Sequence, residues 1–304
     1  MVNGVSIDLA ELIAFKRFAR KMAYKPEKGV PGSGNHLSKF RGRGMDFSEV
    51  RNYQAGDEIR HMEWRVTART GRPHIKLYQE ERERPVVIVV DFNPSMYFGT
   101  RKAFKSVIAA RLAAMIAWTT VKQGDKIGAL LYSSERHNEY IPRSREGGVL
   151  PILAGLMEYT NQASGMMTER PPKPLGEALS RLRRVVKPGS IIVVLSDFYH
   201  MNGEAEKHLS RLHEHNDILA YQIIDPLELN SPLPALYAIT DGHQELLLDT
   251  ANPKVKADYQ QWCDQRQQSL QHLFKRLRIQ YVQVNGENDI PQVIYQTFPR
   301  RKRD

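Results

Sequence analysis

The chain has very few of the groups that build disulfides, cysteine metal sites and membrane spans. It has a single cysteine, Cys263, in 304 residues. One cysteine excludes an intramolecular disulfide and a cysteine-rich metal site. No apolar run approaches the roughly 18 residues of a membrane-spanning helix. The segment 1–10 lacks the basic and then apolar layout of a signal peptide. These absences predict a soluble, cytoplasmic protein with no membrane span.

Two sequence motifs of catalysis are also missing. The chain has no GxxxxGK[ST] loop of the kind that cradles phosphates. Its serines do not lie in a GxSxG nucleophile elbow. The sequence therefore does not indicate a P-loop ATPase or a serine hydrolase.

Positive charge is in excess, and it lies at the two ends of the chain. The net charge is +10, of which residues 1–85 carry +6 and residues 300–304 carry +3. Basic patches of this kind can hold nucleic acid, acidic lipid or an acidic protein face, and they can also simply keep a protein in solution. No aromatic-rich nucleic-acid motif accompanies the charge, so nucleic acid is not the favoured partner. Peripheral contact of the basic ends with a membrane surface stays open.

Strand and helix patterns alternate from Val86 onward. Continuous apolar runs at 86–90 and 191–195 are typical of strands buried on both faces. Helical patterns lie between the strand patterns. This alternation predicts an α/β fold with a doubly wound, mostly parallel sheet. The patterns divide the chain into an N-terminal extension over 1–84, with a helix at 7–22 and a β-rich part, and a sheet domain over 85–304.

Polar side chains follow the two buried strands. Asp91, Asn93 and Ser95 come after the first strand, and Asp197 comes after a later one. Strand ends of this kind meet at the crevice of a doubly wound sheet, where ligands bind. Oxygen ligands alone suit Mg²⁺ or Mn²⁺. The alternative is that these residues cap the helices that follow, as Asp, Asn and Ser commonly do.

The sequence resembles two known families. The segment 86–95 followed by a helix, with Ser196-Asp197 after a later strand, resembles a von Willebrand factor A domain. Such domains carry a metal-ion-dependent adhesion site built from a D-x-S-x-S turn, a threonine and a third-loop aspartate. The segments GMDFSEVRNY (44–53), GDEIRHMEW (56–64), PHIK (73–76) and YQEER (78–82) resemble the bacterial domain-of-unknown-function family fifty-eight. The resemblance covers about residues 40–200.

The adhesion-site pattern is altered at two positions. Asn93 replaces the first serine of the turn, and its amide oxygen can still bind a hard cation. Lys173 stands where the threonine belongs. An ammonium only donates and cannot bind a cation, so Lys173 is expected to neutralise Asp91 or Asp197 in place of the ion. Thr168 is the alternative hydroxyl ligand if its loop folds back.

The resemblance implies a function. Family members are typically encoded beside AAA+ ATPases of the MoxR type and are thought to work with them as adaptors in protein maturation. The expectation is a non-enzymatic adaptor that binds such an ATPase and client proteins through the crevice residues Asp91, Asn93, Ser95, Lys173 and Asp197, with no cofactor or with Mg²⁺. The alternative is a metal-dependent hydrolase or a nucleic-acid-binding protein that uses the acidic crevice and the basic ends.

Overall fold

The computed structural model describes residues 4–19, 45–54, 56–80, 84–161, 171–240 and 245–298. The chain divides into two compact units, Met1–Pro26 together with Arg84–Asp304, and Glu27–Glu83. This division differs from the one predicted, because the N-terminal helix belongs to the larger unit. Leu12 of that helix is fully buried in the larger unit's core, and its carbonyl accepts a 3.0 Å hydrogen bond from the indole of Trp118.

The elements follow the chain in a regular order. The N-terminal helix is α1 (Leu9–Ala14), continued by a single 3₁₀ segment to Phe18, and is thus shorter than predicted. The smaller unit has β1 (Met45–Asn52), α2 (Trp64–Thr70) and β2 (His74–Glu80). The larger unit then has β3 (Val86–Asp91), α3 (Lys105–Gln123), β4 (Ile127–Tyr132), β5 (His137–Arg143), α4 (Glu146–Asn161), α5 (Leu175–Val185), β6 (Ile191–Ser196), α6 (Gly203–His213), β7 (Asp217–Ile223), β8 (Leu236–Thr240), β9 (Glu245–Asp249), α7 (Pro253–Leu277), β10 (Gln280–Val284) and α8 (Ile290–Thr297).

The central sheet has six strands in the order β10-β7-β6-β3-β4-β5. All its neighbours pair in parallel except β5, which is antiparallel to β4 at one edge. The prediction of a doubly wound, mostly parallel α/β sheet is confirmed. The strand β3 has β4 as its neighbour on one side and β6 on the other, so the chain reverses its direction of progress across the sheet at β3. The carboxyl ends of β3 and β6 therefore border the crevice of the fold.

Two cores cover the two faces of this sheet. Alternate residues of β3 point to opposite faces, as the period of a strand requires. Val86, Ile88 and Val90 face the core that α1, α3, α4 and α8 complete. Val87 and Val89 face the core of α5, α6 and α7. Burial on both faces explains why the sequence of β3 is continuously apolar rather than alternating.

The smaller unit is a two-stranded antiparallel sheet with a short helix. β1 pairs with β2, and the helix α2 ends at Gly71, whose φ of 69° is left-handed. An ion pair of 2.8 Å joins Arg51 to Asp57, and a second pair joins Lys76 to Glu63. Trp64 and Ile59 are 65% and 64% exposed, although both are large apolar side chains. The unit therefore contains internal ion pairs, whereas Trp64 and Ile59 are mostly exposed to solvent.

The strand β8 was not predicted from the sequence. It pairs with β9 in a separate antiparallel hairpin. Leu246 and Leu247 of this hairpin are each 65% exposed. The hairpin does not join the central sheet, so its apolar residues do not show the burial that marked the central strands. No helix in the described ranges is both long enough and apolar enough to cross a membrane.

Candidate functional site

The crevice lies between the carboxyl ends of β3 and β6. The register pairs Val90 with Leu195, so Asp91 and Ser196 leave the sheet side by side. Asp197 follows directly. The side chains of Asp91 and Asp197 are both buried, at 3% and 1% exposure. The structure thus brings together the two carboxylates that the sequence placed at separate strand ends.

Asp91 is surrounded by hydrogen-bond donors. Its Oδ1 accepts from the backbone N–H of Asn93 at 2.9 Å and from the side-chain Nδ2 of Asn93 at 2.8 Å. Its Oδ2 accepts from the hydroxyl of Ser196 at 2.7 Å. Burial and then the negative charge of Asp197 raise the pKa of Asp91 to about 6, although these donors act in the opposite direction. Asp91 therefore changes charge close to neutral pH.

Asn93 uses its amide to hold the loop of Lys173. The backbone N–H of Lys173 donates to Oδ1 of Asn93 at 3.0 Å, and Nδ2 of Asn93 donates to the Lys173 carbonyl at 3.0 Å. A side-chain amide carries an acceptor oxygen and a donor nitrogen on separate atoms, so it can pair with the N–H and the C=O of one backbone residue at the same time. Asn93 thus fixes the position of Lys173.

The side chain of Lys173 does not act as predicted. The expectation was that its ammonium neutralises Asp91 or Asp197. Lys173 is half-buried, and its ammonium makes no ion pair with any group in the described ranges. The contribution of Lys173 to the crevice is its backbone, held between Pro172 and Pro174. The alternative ligand, Thr168, lies outside the described residues.

The cation that neutralises the crevice is Lys105, which the sequence analysis missed. Lys105 is the first residue of α3 and its side chain is 2% exposed. Its Nζ lies 2.8 Å from Oδ2 of Asp197 and 2.9 Å from Oε1 of Glu228. Glu228 follows β7, so the ion pairs join three neighbouring loops. The sequence did contain one signal of this role. A cation in the first turn of a helix interacts unfavourably with the helix dipole, so a lysine at this position indicates a compensating negative partner.

The ion pairs of Lys105 keep their charges despite burial. Burial alone would lower the pKa of Lys105, but the negative charges of Asp197 and Glu228 outweigh it and the pKa is raised. Burial would likewise raise the pKa of Asp197, yet the Lys105 ammonium outweighs it and the pKa is lowered. Oδ1 of Asp197 also accepts from the backbone N–H of Tyr199 at 2.9 Å. Asp197 is therefore an ionised and fully paired carboxylate.

The backbone after Asp197 is strained. Phe198 has a φ of 55°, in the left-handed region that a bulky residue rarely enters. Its ring is buried and meets Phe274 of α7 edge-on at 4.9 Å between centroids. The Arg266 guanidinium donates to the carbonyl of Asp197 at 2.9 Å. Packing and this hydrogen bond hold the strained turn, which sets the direction of the Asp197 side chain.

Two buried hydroxyls complete the crevice. The Oγ of Ser95 and the hydroxyl of Tyr132 are both buried without a hydrogen bond of normal geometry to the described residues. Ser95 lies near enough to Asp197 to help lower its pKa. Tyr132 lies beside Asp91, and burial together with the charge of Asp91 raises the pKa of Tyr132 well above its usual value. The predicted Ser95 is thus part of the crevice, and Tyr132 is an addition to it.

The residues in this arrangement do not fit a divalent cation. Magnesium needs about six oxygen ligands with free lone pairs at about 2.1 Å. Oδ1 of Asp91 accepts two hydrogen bonds, which use both of its lone pairs, and Oδ2 of Asp91 and the amide oxygen of Asn93 each accept one. An ammonium occupies Oδ2 of Asp197. No cluster of three or more His, Cys, Asp or Glu side chains within the described ranges could hold a metal.

The sheet order, with Asp91 and Asp197 adjacent at the crevice, defines a doubly wound, mostly parallel α/β domain. The chain belongs to the family described as protein of unknown function DUF58, whose model matches residues 49–269. An uncharacterized protein of Mycobacterium tuberculosis, Rv1480, is 27% identical over 229 residues, which cover 74% of this chain and 70% of that protein. The family prediction is therefore confirmed.

Solved structures of similar fold include two that cover most of the chain. The conserved hypothetical protein BatB from Bacteroides thetaiotaomicron has 16% identity and a TM-score of 0.44, covering 70% of this chain and 96% of that one. The VWA domain of SpRpn10 has 10% identity and a TM-score of 0.40, covering 73% of this chain and 100% of that one.

Proposed function

We propose that this protein is a non-enzymatic adaptor that works with a MoxR-type AAA+ ATPase in protein maturation or complex assembly. It would bind the ATPase or a client protein at the mouth of the crevice, and Lys173 would receive a carboxylate of the partner. The proposal places the protein in the cytoplasm beside an ATP-dependent partner. The proposal rests first on two properties of Lys173, its fixed backbone and its ammonium without an ion pair in the described residues.

The observation that carries the proposal is a fixed backbone with an unpaired charge. Asn93 holds the backbone of Lys173 through two hydrogen bonds of 3.0 Å. The ammonium of Lys173 makes no ion pair within the described part of the chain. A lysine whose backbone is already held in place loses less conformational entropy on binding than a lysine on a mobile loop. A partner carboxylate is the group that such a cation pairs with most directly.

The charges behind Lys173 favour the same partner. Two bare carboxylates in the crevice would repel a third carboxylate from a partner. Lys105 neutralises Asp197 at 2.8 Å. The raised pKa of Asp91, about 6, shows that its charge is disfavoured there. The charge of Asp197 is therefore balanced inside the chain, and protonation of Asp91 near pH 6 would reduce the remaining repulsion.

The basic ends provide a second, less specific attraction. Residues 1–85 and 300–304 carry +9 of the +10 net charge. An acidic face of an ATPase oligomer would be attracted to these ends, mainly through faster association and with clear salt sensitivity. Nucleic acid would also be attracted, with a steep salt dependence as bound counterions are released. Charge alone thus does not separate the two partners, whereas the crevice does.

The test is an affinity measurement with a purified MoxR-type ATPase from the same organism at one fixed salt concentration. Lys173→Ala should raise the Kd about tenfold, which corresponds to the loss of one charge-assisted contact. The matched control is Lys187→Ala, because Lys187 is an exposed lysine before β6, at the opposite end of that strand. This control should bind as the unaltered protein does.

Nucleic-acid binding is measured in parallel with a generic duplex. The proposal expects that Lys173→Ala changes any such binding little, since a single lysine adds about one unit to the salt slope. If Lys173→Ala binds the ATPase as tightly as the control does, the partner surface lies elsewhere. Turnover of a phosphoester that is lost in Asp91→Asn would instead support the hydrolase alternative.

A further inference from the structure

Lys105 makes a set of contacts that an ordinary surface lysine does not make. Its ammonium lies between Oδ2 of Asp197 at 2.8 Å and Oε1 of Glu228 at 2.9 Å. The ring of Phe98 lies on a further side, with its centroid 5.9 Å from Nζ. An ammonium has three hydrogens to donate, and two of them are used by carboxylates. The group is thus enclosed by the ligand types that surround a bound cation.

The position of Lys105 is unfavourable unless these carboxylates offset it. Burial removes an ammonium from water, which is costly without a paired charge. The first turn of a helix adds an unfavourable interaction with the positive end of the helix dipole. Both costs fall on one residue, Lys105. The compensating groups come from loops that are 92 and 123 residues away in the chain.

We infer that Lys105 takes the place of a divalent cation in this crevice, with Glu228 as its second carboxylate, so that the crevice is complete without a metal. This assignment concerns the crevice itself and stands without the proposed partner. It explains why Asn93 can be used to hold Lys173 instead of serving as a ligand.

A chain of hydrogen bonds fixes Glu228 in this role. Its Oε2 accepts from the backbone N–H of Asp225 at 2.9 Å. The Asp225 carboxylate accepts from the backbone N–H of Thr100 at 2.9 Å and from its hydroxyl at 2.7 Å. The loops after β3, β6 and β7 therefore meet around one ammonium. A metal ion could join three loops in the same way, which is the structural task that Lys105 performs here.

The first test uses the unaltered full chain. Its melting temperature should be the same within about 1 °C in EDTA and in about 10 mM Mg²⁺ or Mn²⁺, because a ligand that does not bind the native state does not stabilise it. A titration of the unaltered protein with Mn²⁺ by calorimetry should show no specific heat. A Kd below about 100 μM for Mn²⁺, lost in Asp197→Asn, would overturn the inference.

The second test removes the resident cation. Lys105→Ala leaves two buried carboxylates facing a vacated space and should lower the melting temperature by roughly 10 °C. Mg²⁺ or Mn²⁺ should then restore part of the loss, and NaCl at equal ionic strength should restore less, because it only screens. If Lys105→Ala melts with the unaltered protein, or if the divalent ions and NaCl act equally on it, the inference is wrong.

The matched control is Lys122→Ala, an exposed lysine in the last turn of the same helix. It should show neither the lower melting temperature nor the response to divalent ions. If Lys105→Ala does not fold, the Mn²⁺ titration of the unaltered chain still decides, since tight binding there contradicts a crevice that is already complete.

Discussion

Two lysines at the crevice have opposite surroundings. Lys105, at the start of α3, is buried between Asp197 and Glu228. Lys173, in the loop before α5, is held by its backbone and leaves its ammonium unpaired within the described ranges. The residue type alone does not distinguish these two lysines. The difference teaches that one positive charge is used inside the fold at this edge, whereas the other makes no ion pair within the described residues.

The largest difference between the two lysines is expected in the free energy of unfolding when each is replaced by methionine. Lys105→Met leaves Asp197 and Glu228 without their buried counter-ion and should lower the free energy of unfolding by about 3–5 kcal/mol. Lys173→Met breaks no ion pair in the described ranges and should change it by less than about 0.5 kcal/mol. Urea unfolding of both variants measures the two values. Equal losses would mean that the two lysines do not differ in role.

The next effect concerns the pH dependence of stability at Asp91. The pKa of Asp91 is about 6 in the folded chain, against an ordinary value of 3.8. Between these pH values the folded state holds a proton that the unfolded state has lost. Stability should therefore fall as the pH rises from about 4 to about 6, by about 3 kcal/mol in total, and the loss should stay constant above that window.

The variant Asp91→Asn isolates this contribution. The asparagine cannot ionise, and the other titrating groups, including His200 and His213 with their lowered pKa values, are common to both proteins. The unfolding free energy of the unaltered chain minus that of the variant should decrease from pH 4 to pH 6. A difference that is flat across this range, or that increases, would show that Asp91 is not the disfavoured carboxylate.

A smaller effect is expected from Asn93, which forms hydrogen bonds with both Asp91 and the backbone of Lys173. Asn93→Ala removes the two contacts to the Lys173 backbone and one donor to Asp91, and should cost about 1–3 kcal/mol. The amide hydrogen of Lys173 should also exchange faster with solvent, because its acceptor has gone. Hydrogen exchange read by mass spectrometry measures this. Unchanged exchange at Lys173 would mean that Asn93 does not hold the loop.

The sequence predicted the strands and the meeting of their ends for a clear physical reason. Burial on both faces makes β3 and β6 continuously apolar, and parallel neighbours must end at the same edge. Asp91 and Asp197 could thus be placed together from local patterns. The same reasoning could not find β8, because its hairpin with β9 leaves side chains such as Leu246 exposed and gives no burial pattern.

The pairing of individual side chains was beyond local patterns. Lys105 meets Asp197 across 92 residues, and Asn93 meets Lys173 across 80 residues. Which lysine reaches the crevice depends on the path of α3 and on the turn at Phe198, whose left-handed φ no residue type signals. Lys173 aligns with a family motif and was therefore predicted at the crevice carboxylates, but Lys105 is the lysine that pairs with Asp197.

The most direct test of this account is brief acetylation of the full chain, alone and with the ATPase bound, read residue by residue by mass spectrometry. The account predicts that Lys173 is modified in the free protein and protected in the complex. Lys105, whose side chain is 2% exposed, should stay unmodified in both states. Modification of Lys105 in the folded chain, or equal modification of Lys173 with and without the ATPase, would contradict the account.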